Sequence, residues 1–193
     1  MIPKREVATR NGQTYFVTSN TISRTPLFRH ERWAALFLET VYSYRPERYL
    51  IHDFTVMPDH FHLLMTPHES LERAVQCLKG GFSFRAKREF SWKGGIWATG
   101  FSDHRIRDLQ DCEIHRRYIR RNAVKAGLAQ REEDYPYCSA NGRFELDALP
   151  QGLKPNFVTE ASGVAKATPF QSNNGGVPPF HDLIERDSNA TQE

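Results

Sequence analysis

His60 and His62 flank a single residue in the run His60-Phe61-His62-Leu63-Leu64-Met65. On a strand, side chains alternate, so both imidazoles would emerge on one face about 7 Å apart, with Phe61 and Leu63 on the other. Imidazoles at that spacing can converge on one divalent ion, although a pair of exposed or hydrogen-bonded histidines has the same signature. A second group lies in His115-Arg116-Arg117-Tyr118-Ile119-Arg120-Arg121-Asn122. Tyr118 and Asn122 are four apart and stack on one face of a helix, which Ile114 and Ile119 would anchor to a sheet. Cations crowded around a phenol attract a phosphate. The plainer reading is an amphipathic Tyr with a packed ring and a wet hydroxyl. Taken together, an ion between the imidazoles could polarise a phosphodiester while the Tyr118 oxygen attacks in line. That chemistry requires the strand and the helix to be neighbours, which periodicity alone does not establish.

The elements that must position these residues can be read from pattern. Residues 13–19 are aromatic and β-branched and predict a strand. Residues 30–44 carry Trp33, Leu36, Phe37, Thr40, Val41 and Tyr44 at helical spacing, and Pro46 stops that helix. Residues 48–57 and 60–66 are β-prone runs split by Pro58-Asp59, which reads as a hairpin. Residues 70–90 predict a helix with a weak point at Gly80-Gly81, either one bent helix or two pieces. A last strand is expected over 101–106. A final helix, capped by Asp111, runs to Ala126, with Gly127 suited to its left-handed end. The order predicts an α+β fold, a ferredoxin-like (RRM-like) βαββαβ sandwich followed by a C-terminal helix that carries the candidate nucleophile.

The chain of 193 residues is 39 % hydrophobic and 25 % charged, which fits a globular domain and excludes wholesale disorder or simple repeats. No run approaches the roughly 18 apolar residues of a spanning helix, and no apolar stretch follows the basic N-terminus as in a signal peptide. Cys77, Cys112 and Cys138 share no metal-type spacing and favour a reducing compartment, with the cytoplasm as the expectation. Net charge is only +3, but residues 105–125 hold seven basic against three acidic side chains. With Lys79, Arg85, Lys87 and Arg88 they form the footprint expected of a phosphate-polymer binder, or else a solvated helix face. Residues 1–149 read as the folded domain and 150–193, rich in Pro, Gly, Ser and Asn, as a tail that is largely loop or disordered.

Three stretches carry a resemblance. Val56-Met57-Pro58-Asp59-His60-Phe61-His62-Leu63-Leu64 is similar to the metal strand of the single-tyrosine HUH transposases, in particular the REP-associated tyrosine transposases of bacteria. Trp97 through Gly100-Phe101-Ser102-Asp103-His104-Arg105-Ile106-Arg107 resembles their Gly-Phe-x-Asp-His-x-Ile/Leu-Arg signature, and Tyr118-Ile119-Arg120-Arg121-Asn122-Ala123-Val124-Lys125-Ala126-Gly127-Leu128 their tyrosine helix. The resemblance covers about residues 13–138 and departs at Ala123, where that helix usually has proline.

The resemblance implies a metal-dependent transposase that acts as a site-specific single-strand endonuclease. His60 and His62 match the metal pair, Tyr118 the nucleophile that takes the 5′ phosphate, and Asn122 a polar residue that completes the metal shell. The implied ion is Mg2+ or Mn2+, and the implied partner is single-stranded or hairpin DNA from REP-like palindromes. The protein is expected to act as a monomer or homodimer in the bacterial cytoplasm, at the nucleoid when bound. Asp59 is left out of the ligand set because a strand neighbour of His60 should face away. Arg105, Arg107, Arg116, Arg117, Arg120, Arg121, Lys125, Lys79 and Arg85 are the expected phosphate contacts, and Trp97, Phe101 and His104 could stack on or orient bases. No phosphate-binding Gly-rich loop ending in Gly-Lys-Ser/Thr is present, in keeping with strand transfer without a nucleotide cofactor. The rival readings are a non-cleaving hairpin-binding protein on the same fold and a metal hydrolase acting on another substrate.

Overall fold

The computed structural model describes residues 12–150, so the expectation of a loop-rich tail lies almost wholly outside the described residues. The main elements run β1 (Tyr15–Asn20), α1 (Glu31–Ser43), β2 (Tyr49–Met57), β3 (His60–Pro67), α2 (Leu71–Phe90), β4 (Ser102–Arg105) and α3 (Leu109–Lys125). The strands form one sheet in the order β2-β3-β1-β4, with each neighbouring pair antiparallel. This is the expected βαββαβ sandwich with its trailing helix. No helix among the described residues is long and apolar enough to cross a membrane.

Strand alternation divides the sheet into two faces. Tyr15 and Val17 of β1, Phe54 and Val56 of β2, and Phe61, Leu63 and Met65 of β3 meet α1 and α2 in a core with Phe28, Trp33, Phe37 and Phe82. An irregularity in register between Ile51 and Asp53 inserts His52, so Tyr49 and Ile51 join this face together with Phe54 and Val56. The other face is covered by α3. Leu64 packs there with Ile106, Cys112 and Ile119, while Met57 and Ala123 meet Tyr135 and Cys138. Ile114 is exposed instead of anchoring α3. At 100° per residue it sits about 140° around the axis from Ile119, too far to share its face.

One expectation narrows and another changes. Of one helix or two pieces, α2 is one helix through Gly80-Gly81, and Gly81 lies where α1's end brings in the Tyr44 ring: a Cβ there would approach Tyr44 Cε2 to 2.8 Å. The N-cap of α3 is Asp108, whose Oδ1 accepts from the Asp111 N–H at 2.8 Å. Asp111 sits in the first turn, where its carboxylate accepts the Arg107 N–H at 3.1 Å. At the other end Gly127 takes φ 70° as expected, with its N–H on Val124 O (3.0 Å) and the Leu128 N–H on Ala123 O (2.9 Å).

Candidate active site

Register places the site. His62 lies between Thr18 of β1 and Thr55 of β2, and His60 between Asn20 and Met57, so both imidazoles face α3 from the middle of the sheet. Their ring centroids are 4.8 Å apart. The His62 side chain is only 4 % exposed, and its Nδ1 lies 2.7 Å from Thr18 Oγ1. An Nδ1–H donating to that hydroxyl leaves the lone pair on Nε2, which is buried with no hydrogen-bond partner. His60 repeats the arrangement: its Nδ1 lies 2.5 Å from Asp59 Oδ1, which leaves Nε2 for another ligand.

Asp59 therefore does not face away from His60. It belongs to the turn between β2 and β3, where strand alternation does not bind it, and it also pairs with Arg24 Nε at 3.0 Å. Burial alone would raise the Asp59 carboxyl, but the His60 hydrogen bond and the charges of His60 and Arg24 hold it below the usual carboxylate range. Burial pushes His62 well below the usual histidine range, with His60 and Arg24 adding to the effect, so the ring is neutral and ready to ligate. A buried, unpartnered imidazole nitrogen beside a second imidazole, each oriented through Nδ1, fits a divalent cation.

Tyr118 of α3 stands over this pair, its ring edge-on to His62 at 5.3 Å and to Phe16 at 5.7 Å. The residue is 41 % exposed, and Lys125 Nζ lies 5.4 Å from its ring centroid. Asn122 follows one turn later, half-buried on the same flank. The strand and the helix that the chemistry requires are thus neighbours.

The opposite flank of α3 is tied to β2. Arg116 Nε (3.3 Å) and Arg120 Nε (2.9 Å) both meet Asp53 Oδ2, and Ser139 Oγ bonds the other oxygen of this fully buried carboxylate. Arg117 and Arg107 are exposed, and Arg121 lies 3.8 Å from Glu132. Arg105 pairs with Tyr15 in register and so projects on the other face of the sheet, also exposed. His104 pairs with Phe16, faces α3 and stacks on His115 at 4.5 Å.

Lys79, Arg85, Trp97 and Phe101 are not gathered around Tyr118; they belong to the α1–α2 layer. Lys79 Nζ donates to Ala98 O (3.1 Å) and Gly100 O (2.7 Å), and burial lowers its pKa. Arg85 pairs with Glu39 (2.6 Å) and Glu89 (3.0 Å). Trp97 packs against Phe37, Phe61 and Phe82 and donates Nε1–H to Lys79 O at 3.0 Å, while Phe101 leans half-buried on the same core. Thr18, Phe16, Arg24 and Asp53 are site or supporting residues that sequence reasoning missed. Only Asp59, next to His60 in the chain, carried a local signal.

Residues 11–122 match the family model described as "Transposase IS200 like", a span that holds both histidines and Tyr118 and ends at Asn122. A Haemophilus influenzae protein named "Putative REP-associated tyrosine transposase" is 32 % identical over 108 residues, 50 % of this chain. The match spans 61 % of that relative's length. The Escherichia coli K12 REP-associated tyrosine transposase is 27 % identical over 147 residues, 70 % of this chain and 84 % of its own length. The solved structure of a REP-associated tyrosine transposase bound to a REP hairpin superposes with a TM-score of 0.60 at 22 % identity. That match covers 84 % of this chain and 95 % of the other, a likeness of fold. With a family model matched across the sheet, the histidine pair and the tyrosine helix, the chain belongs to the IS200-like transposase family.

Proposed function

We propose that the protein cleaves and rejoins hairpin-associated single-stranded DNA through a covalent 5′-phosphotyrosine. The observation that carries this reading is the unpartnered, buried Nε2 of His62 beneath the half-exposed ring of Tyr118. Nε2 of His60 and of His62, with the Asn122 amide oxygen, would hold a Mg2+ or Mn2+ ion, which when bound supplies Lewis-acid polarisation of the scissile phosphate. Tyr118 provides the attacking oxygen. Its bond to phosphorus forms as the P–O3′ bond breaks; the phenolic proton is lost and the departing 3′ oxygen takes one up, leaving a 3′ hydroxyl. The phosphotyrosine ester conserves the bond energy, so a 3′ hydroxyl can reverse the step and join strands without ATP. One chain supplies both histidines and the tyrosine. The REP hairpin in the structural relative supports a hairpin DNA partner, and the bacterial cytoplasm is where such DNA would be met.

Labelled hairpin DNA incubated with the protein and Mg2+ or Mn2+, then run on a denaturing gel, tests the reading. A labelled covalent adduct in the wild type that is absent from Tyr118→Phe is the expected result. Hairpin binding without an adduct in the wild type would favour the non-cleaving binder instead.

A further inference from the structure

A second set of metal-ligating side chains lies where β4 meets α3. His104, Asp111 and His115 each offer a donor atom, and these atoms all lie within 4.8 Å of one another. His104 Nε2 is 2.9 Å from Asp111 Oδ2 and 3.1 Å from Oδ1, and His115 Nδ1 is 3.1 Å from Asp111 Oδ1. The imidazoles are stacked with 18° between their planes. Ligand atoms bound to one ion at about 2.0–2.2 Å and roughly 90–110° apart lie about 3.0–3.5 Å from each other. The imidazole–carboxylate separations are close to those of neighbouring positions in a coordination shell, and the full set lies within 4.8 Å.

The cluster is also preorganised. The Asp108 cap holds the Asp111 main chain, the Arg107 N–H holds its carboxylate, and Phe16 packs on His115 at 4.9 Å. Asp111 and His115 side chains are each only 18 % exposed, while His104, at 37 %, opens to solvent. No residue of the cluster belongs to the His60–His62 pair.

We infer that His104, Asp111 and His115 form a second cation site, for a borderline transition ion of the Zn2+ class. Two imidazoles and one carboxylate suit such an ion, whereas Mg2+ prefers oxygen ligands and keeps its waters. Binding replaces the N–H···O contacts within the cluster, and that of His115 Nδ1 with Asp111 O (2.8 Å), by N–metal bonds. The ion would bridge β4 to the first turns of α3. His115 lies one turn before Tyr118, so the bound ion fixes the part of α3 that sets the tyrosine over the sheet.

The test uses the full chain carrying His60→Ala and His62→Ala, which removes the first site, with Co2+ as an optical probe and Zn2+ as competitor. One equivalent of Co2+ should bind with visible d–d bands and be displaced by Zn2+. Adding His104→Gln should weaken that binding at least tenfold. Zn2+ should raise the Tm of the double variant by several degrees and leave that of the triple variant unchanged. Absence of Co2+ binding in the double variant overturns the inference, as does equal binding after His104→Gln, which would trace it to histidines elsewhere. If the double variant fails to fold, carbethoxylation of the wild type decides. Zn2+ should shield His104 and His115 from diethyl pyrocarbonate in peptide maps, and labelling unchanged by Zn2+ would overturn the site.

Discussion

Thr18 and Asp59 each take the Nδ1 of one site histidine, and so decide which nitrogen of each ring faces Tyr118. Such partners fix ring orientation and raise ligand basicity, and their loss typically costs 10–100-fold in metal affinity. Asp59→Asn should weaken Mn2+ binding by about that factor, measured by electron paramagnetic resonance, with the circular dichroism of the sheet unchanged. Undiminished affinity would show that His60 needs no such partner. His52 contributes to the pH dependence of stability alongside His62. It is 2 % exposed, and burial lowers its pKa below the usual histidine value. The unfolded chain takes up this proton near pH 6.5 while the folded one does not, so stability is held above that pH and lost as pH falls toward the depressed folded value. Thermal melts taken from about pH 8 down to pH 5 should fall less steeply in His52→Gln than in the wild type. Local spacing marked the two histidines and the tyrosine as candidates, and their roles rest on the family resemblance. Thr18 was not marked, because its partner lies 44 residues away and sheet register alone brings them together.

At the scale of elements, α2 and α3 show what pattern can and cannot announce. Consecutive glycines in a helix read as a flaw, yet the two residues of Gly80-Gly81 have different surroundings. Nothing lies within 4 Å of a Cβ built at Gly80, whereas at Gly81 it would collide with the Tyr44 ring. Gly80→Ala should therefore stabilise the protein by about 1 kcal/mol through helix propensity. Gly81→Ala should destabilise it by roughly 1–3 kcal/mol through overpacking between α1 and α2. Urea unfolding of the two variants checks the opposite signs. The docking of α3 was equally hidden: Asp53 is 63 residues before Arg116 and 67 before Arg120, and no window of sequence joins them. Asp53→Asn leaves two guanidiniums facing an uncharged pocket, but each is about a third exposed and can turn partly to water. A loss of about 3 kcal/mol is expected, at the lower end for breaking a buried pair. Adduct formation should fall further than stability explains, because the clamp sets the height of Tyr118 over His62. An adduct rate unchanged at full folding would remove Asp53 from that role.

Across the whole molecule, the fold gives separate tasks to cations that look alike in sequence. Residues 105–125 form one basic stripe on paper, but Arg116 and Arg120 turn inward to Asp53 while Arg117 stays in solvent beside Tyr118. Lys79 is likewise bound to carbonyls of the segment between α2 and β4, and Arg85 to carboxylates of α1 and α2. Periodicity was enough to recover the order of strands and helices, since each element is coded by neighbours in the chain. It was not enough to say which charges remain available, since that depends on carboxylates brought in from other elements. Salt dependence separates the two groups. Each phosphate contact contributes about −0.7 to −0.9 to the slope of log K against log salt, the smaller value for single strands. Arg117→Ala should weaken hairpin binding and make that slope shallower by about one contact. Arg85→Ala should lower stability through its lost pairs with Glu39 and Glu89 and leave the slope as it was. Fluorescence anisotropy over a salt series gives both slopes, and a shallower slope in Arg85→Ala would place DNA on the α1–α2 face instead of along α3.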